Sequence, residues 1–285
     1  MPQTPPPDAD ATRGRHFRAA LRGRTAFWAL FVGALGGFLV GAYLRDPLVM
    51  AAAPAAAALL VVLIAFASAD RRAEDDFWRG LAPSLGLIHW GPLQLEPVAP
   101  LLAAGERRAF EHVMQGELEP GLSCSLGHYT YQVRQQTRSL DGYDNRAGVW
   151  RAFPFTICLV DLAPSMPRYP GVFARPKRGL FDDRHDWLRN LDPRKVDLES
   201  AVLAKRYDVL VAHDQDEAVL RELLSPSLID WLARHPLLPG FELRAGVLLV
   251  YLRGHVAEAG KLAWFLDGAR HLVREVSREL DSAPA

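Results

Sequence analysis

The sequence predicts an α+β protein in which an N-terminal two-helix transmembrane hairpin is followed by a soluble domain with a mostly antiparallel sheet and packed helices. Three observations carry that prediction. Two uncharged apolar runs lie near the N-terminus, several later segments alternate apolar and polar residues, and the C-terminal segment repeats its apolar residues at spacings of three and four.

Residues 1–24 open with Pro5, Pro6 and Pro7 and then carry Arg13, Arg15, Arg18, Arg22 and Arg24, which reads as a disordered basic tail. Uncharged runs follow over 26–44 and 48–69, separated by Arg45, Asp46 and Pro47, and together they delimit a hairpin over 25–69. Each run has about the 20 residues that cross a hydrocarbon core of ~30 Å. Three connecting residues make only a tight turn, so both outer ends lie on one side. The arginines before the first run, with Arg71 and Arg72 after the second, place that side in the cytoplasm by the positive-inside rule. Arginine far outnumbers lysine, and Ala, Pro and Gly are abundant, as in a GC-rich bacterial genome. The expected location is therefore a bacterial inner membrane, with the lipid bilayer as first partner.

Gly33, Gly37 and Gly41 share one face of the first helix. Small residues let helix backbones approach closely, either within the hairpin or across a homo-oligomer. Neither run carries an ionisable residue, which speaks against a channel, a pump or a proton relay.

Residues 70–285 are expected to form one cytosolic α+β domain. A helix leaves the hairpin over Asp70–Gly86, and a second is predicted over Leu101–Met114. Tyr129, Tyr131 and Val133 alternate with polar residues, as do Phe153, Phe155, Ile157 and Leu159 within Val149–Leu162, where Pro154 implies an edge or a bulge. Gly171–Pro176 and Tyr207–Ala212 are further strands. Asp214 is placed to cap the helix that follows, with Glu217 three residues on. Ser225 and Pro226 start another helix. Phe241–Arg244 and Val247–Leu252 form a hairpin, and Leu262, Phe265, Leu266, Ala269, Leu272, Val273, Val276 and Leu280 line one face of the last helix.

Lys+Arg and Asp+Glu stand at 33 each, so the basic excess of a nucleic-acid binder is missing. Cys124 and Cys158 have neither metal-ligand nor redox spacing and read as buried free thiols. No Walker loop, dinucleotide-binding glycine pattern, nucleophile elbow or H-E-x-x-H occurs, and neither a cofactor nor a catalytic residue is predicted. His213, Asp214, Asp216 and Glu217 have the donor types of a metal site, but the same residues suit a helix start. Asp182, Asp183, His185 and Asp186 read as a solvated loop. Arg168, Arg175, Lys177 and Arg178, interleaved with Tyr169 and Phe173, are the candidates for binding an anionic ligand or head group.

A resemblance rests on Leu198-Glu199-Ser200, Lys205-Arg206-Tyr207-Asp208-Val209, Glu217-Ala218, Leu223-Leu224-Ser225-Pro226, Phe241 and Val250-Tyr251. Over residues 145–280 the chain resembles an uncharacterised bacterial family with two N-terminal membrane helices and a cytosolic α+β domain of unknown function. Leu203 and Tyr207 stand where members tend to have Phe. The resemblance implies a layout and no catalytic residue. The functional expectation is a membrane-anchored scaffold or interaction domain; the alternatives are an anionic-ligand or lipid sensor and a hydrolase with an unrecognised site.

Overall fold

A computed structural model describes residues 9–22, 24–45, 47–135, 148–162, 168–177, 186–197, 200–237 and 239–281. The chain divides into two compact units. One holds the described residues up to Ser84 together with Ala257–Ala259, and the other holds those of Leu85–Val256 and from Gly260 onward.

The first unit is helical. α1 (Ala9–Arg22) occupies the stretch expected to be a tail, α2 spans Arg24–Leu44, and α3 runs unbroken from Pro47 to Leu81. α1 lies on α3: Phe17 meets the edge of Phe66 at 6.0 Å, Arg13 pairs with Asp70 at 2.6 Å, and His16 reaches Asp76 at 2.9 Å. Among the described residues no helix is long and apolar enough to cross a membrane. That overturns the transmembrane hairpin over 26–44 and 48–69, the membrane assignment, and the inner-membrane location with both termini cytoplasmic. Two physical reasons stand out. The second run is part of a 35-residue helix that also carries Asp70, Arg71, Arg72, Glu74, Asp75 and Asp76, and α1 sets the Arg13 guanidinium 6.0 Å from its Phe66 ring. In α2, Gly33, Gly36, Gly37 and Gly41 contribute little of the transfer energy that spanning requires.

The glycine face of α2 turns inward within the hairpin. Gly41 is buried, and a Cβ built on Gly33 would stand 2.7 Å from the Cβ of Ala57. Gly36, just off that face, would meet nothing within 4 Å. Gly33→Leu should therefore destabilise this unit by about 1–3 kcal/mol through overpacking. Gly36→Leu should be neutral or gain a few tenths from better helix propensity. Circular-dichroism melting of the two variants checks this, and equal midpoints would show that the α2–α3 contact is not tight. Phe31, Phe38, Leu39, Leu60 and Leu63 remain exposed on the outer surfaces of α2 and α3.

The second unit is α+β, built on one antiparallel sheet. Its strands are β1 (Ile88–Leu93), β2 (Arg107–Glu119), β3 (Leu122–Gln135), β4 (Val149–Asp161), β5 (Val172–Pro176), β6 (Arg194–Val196), β7 (Tyr207–Val211), β8 (Gly240–Arg244) and β9 (Val247–Arg253). They lie in the order β1-β2-β3-β4-β9-β8-β5-β7-β6. The predicted helix over Leu101–Met114 is instead a single turn, α4 (Pro100–Ala103), followed by β2. Ladders to β1 and β3 on its two sides outweigh the local apolar spacing. Pro154 sits in interior β4 opposite Thr130, but pairing with β9 begins only at Phe155, so its missing N–H falls beyond the end of the neighbouring strand.

Both faces of the sheet carry a core. One buries Tyr129, Tyr131, Phe153, Phe155, Trp187 and Tyr251 with Leu101 and Leu102 of α4, and the Tyr129 hydroxyl donates to the Leu102 carbonyl at 3.1 Å. The other carries Cys124, Leu126, Cys158, Val160, Phe241, Leu243, Leu248 and Val250, all buried. α5 (Ala201–Arg206), α6 (Glu217–Leu223), α7 (Pro226–Arg234) and α8 (Ala259–Asp281) complete the unit. α8 buries Leu262, Phe265, Leu266, Ala269, Leu272, Val273 and Val276, as its periodicity predicts. It is pinned to the end of β2 by Arg270 donating to the Leu118 carbonyl and by Arg274 on Glu119.

Candidate functional site

Period-two geometry puts His128 on the same face of β3 as Leu126 and Thr130, and there it is 1% exposed. Register sets it opposite Thr156 of β4 and Glu111 of β2. Its Nε2 lies 3.0 Å from the Val256 carbonyl. A carbonyl only accepts, so Nε2 carries a proton, and in the neutral ring the lone pair is at Nδ1. The turn supplying that carbonyl is itself anchored. The Thr156 hydroxyl accepts from Val256 N at 2.9 Å and donates to the Gly254 carbonyl at 3.0 Å, while Gly254 N donates to the Pro154 carbonyl. The same turn lays His255 parallel to His128, with centroids 4.2 Å apart, and its Nε2 sits 3.0 Å from the Thr130 hydroxyl.

His112 arrives by a backbone irregularity. Glu111 pairs with His128 and Met114 pairs with Leu126, so His112 and Val113 together face the single residue Gly127. This is a β-bulge, the device that re-aims a side chain beside functional sites. His112 itself has φ 52°, a left-handed conformation that costs a non-glycine residue of order 1–3 kcal/mol. The bulge presents its ring edge-on to His128 at 5.6 Å, and ring nitrogens of the two lie within 4.8 Å of each other. β1 is irregular at the same level, between His89 and Gly91, and the His89 ring stacks near His112 with centroids 6.5 Å apart. Four imidazoles from three strands and one turn thus form a continuous row, from half-buried His89 to exposed His255.

Neutral imidazole is a ligand for zinc, copper, nickel, cobalt and iron. A small χ change would bring the nitrogens of His112 and His128 to the ~3.4 Å that two bonds of 2.0–2.1 Å make at a tetrahedral angle. The carbonyl on Nε2 of His128 is the outer partner that fixes tautomer and ring orientation in such sites.

The residues singled out from sequence do not converge. Arg168 pairs with Glu222, Arg175 with Asp186 at 2.7 Å, and Lys177 donates to the Ala204 carbonyl beside Asp208; Arg178 lies outside the described residues. In the His213 cluster, Asp216 caps α6 through Ala218 N and Val219 N, taking the role expected of Asp214. Glu217 pairs with Arg194, and exposed His213 stands 3.8 Å from Asp192. Of the other acidic group, Asp182, Asp183 and His185 lie outside the described residues, while Asp186 accepts from Arg175 and Leu188 N.

Sequence reasoning missed the histidine row because no local spacing joins positions 89, 112, 128 and 255. One usable signal was present. Extending the alternation of Tyr129 and Tyr131 back one residue puts His128 on the opposite, also buried, face. Comparison of the chain with protein-family models, with curated proteins and with solved structures finds no match.

Proposed function

We propose that the protein is a metal-binding protein that holds a divalent transition-metal ion through His112 and His128, with His89, next to His112 in the row, as a third imidazole. The observation that carries this reading is the bulge at His112. It holds a left-handed histidine on the sheet and aims it at a second histidine whose far nitrogen is tied to a carbonyl. His255, stacked on His128, lies at the exposed end of the row, where an ion would arrive.

Cobalt(II) is the test ion, because nitrogen ligation in a low-symmetry site produces visible d–d absorption. The full chain should bind it stoichiometrically, with zinc displacing it. His112→Ala removes a direct ligand and should weaken binding at least ~100-fold, whereas Thr130→Val, which frees only His255, should cost ~10-fold or less. An unchanged cobalt spectrum in His112→Ala would remove the site.

A second reading, an interaction module, draws on the exposed apolar side chains Phe31, Phe38, Leu39, Leu60 and Leu63 of α2 and α3. Large apolar side chains left exposed on two packed helices fit an association surface. Sedimentation of the full chain, with and without Phe31→Ser and Phe38→Ser, separates a self-associating protein from a monomer.

A further inference from the structure

On the face of the sheet away from the histidines, residues 97–105 and 186–191 wall a cavity of about 420 Å³. That volume falls in the range of small-molecule sites, ~300–1,000 Å³. Both walls are fastened to the sheet by one side chain. Glu242 of β8, 2% exposed, accepts from Leu101 N at 3.0 Å through one carboxyl oxygen and from Trp187 Nε1 at 2.6 Å through the other. The cavity is therefore held open by a built support and is not a gap between loose loops.

Its lining divides by chemistry. Pro97, Val98, Pro100 and Leu191, with the Trp187 ring, make an apolar wall. The charged lining residues are Asp186, Arg189 and Arg244. Asp186 is engaged by Arg175 and Leu188 N, while among the described residues neither Arg189 nor Arg244 forms a salt bridge. Arg244 lies two residues beyond Glu242 on β8, so it projects from the same face at the cavity's edge. The lining thus carries one excess positive charge beside an apolar wall.

We infer that this cavity binds a small organic monocarboxylate, its carboxylate on the Arg244 guanidinium with Arg189 at the rim and its apolar body against Trp187, Val98 and Pro100. A guanidinium meets a carboxylate through two parallel N–H···O bonds, which fixes orientation as well as charge. A dianion fits less well, because the Asp186 carboxylate sits on the same lining. This site is separate from the histidine row, and neither reading depends on the other.

The probe is 3-phenylpropionate, with its uncharged amide as control, added to the uniformly ¹⁵N-labelled full chain. The readout is the Trp187 indole N–H cross-peak, identified by its loss in Trp187→Phe. The carboxylate should shift that peak saturably, the amide should bind at least ~10-fold more weakly, and Arg244→Gln should raise the carboxylate Kd ~10-fold or more. An Arg244→Gln peak at the wild-type position before ligand is added shows that the cavity wall is intact. The inference is overturned if the wild-type peak stays still up to ~10 mM carboxylate, tenfold above a ~1 mM Kd. It is equally overturned if acid and amide shift the peak alike, or if Arg244→Gln binds as the wild type does.

Discussion

Gly127→Val should destabilise the α+β unit by about 3 kcal/mol and abolish cobalt binding. Strand propensity alone argues the other way, because valine favours strands and glycine weakens them. Geometry decides the sign. A Cβ on Gly127 would stand 2.9 Å from the Glu111 carbonyl oxygen, 3.0 Å from the Phe110 ring and 3.2 Å from the Val113 Cα. Two of those neighbours are backbone, so they yield only if the bulge moves. Phe110 and Val113 belong to the buried cluster on the face opposite His128, so moving the bulge disturbs that core as well as the aim of His112. For a domain of this size the loss corresponds to a melting midpoint lower by roughly 6–12 °C. Thermal melting and cobalt absorption on one sample test both halves. A variant that melts with the wild type yet still binds cobalt would separate the bulge from the site.

The stability contributed by Glu242 should fall as pH rises from about 4.5 to 7, by on the order of 3 kcal/mol. Burial raises its carboxyl from the ordinary 4.5 to about 7, against the opposing pull of Leu101 N, the Trp187 N–H, Arg175 and Arg244. Through that window the folded chain keeps a proton that the unfolded chain has released. Folding therefore takes up a proton, and stability is greatest below about 4.5 and lowest above about 7. Glu242→Gln does not titrate, but its NH2 has no lone pair for the second donor, whereas the hydroxyl oxygen of the protonated carboxyl still accepts. The variant should be the less stable protein at pH 5, and the gap should close or reverse at pH 8. Urea midpoints of both proteins at the two pH values measure this, and a gap that is the same at both would mean that the carboxyl titrates normally. Taking the difference cancels His235 and His271, which burial pushes down and which act in the opposite sense on both proteins.

Elements whose cause is local are legible in the chain. The last helix announces itself by apolar residues every three or four positions, the β8–β9 hairpin by alternation around Ala245 and Gly246, and α7 by Ser225 capping Leu228 N with Pro226 behind it. Capping and periodicity act within a few residues, so they can be read without a partner. The remaining features depend on contacts between distant segments. β2 reads as helix because its bulge puts Phe110 and Val113, three residues apart, on one face, and only pairing with β1 and β3 shows the extra residue. The apolar run before Asp70 reads as a span because the chain before it is expected to be a tail, and only packing shows a helix, α1, lying against this one. The four histidines gather because sheet register joins positions far apart in the chain. The four arginine and lysine candidates sit close in sequence, yet the three described ones find separate partners, because only Arg175 lies in β5 while Arg168 and Lys177 lie in the connections on either side of it. Local free energies select helix or strand, whereas register and burial over long separations select which side chains meet.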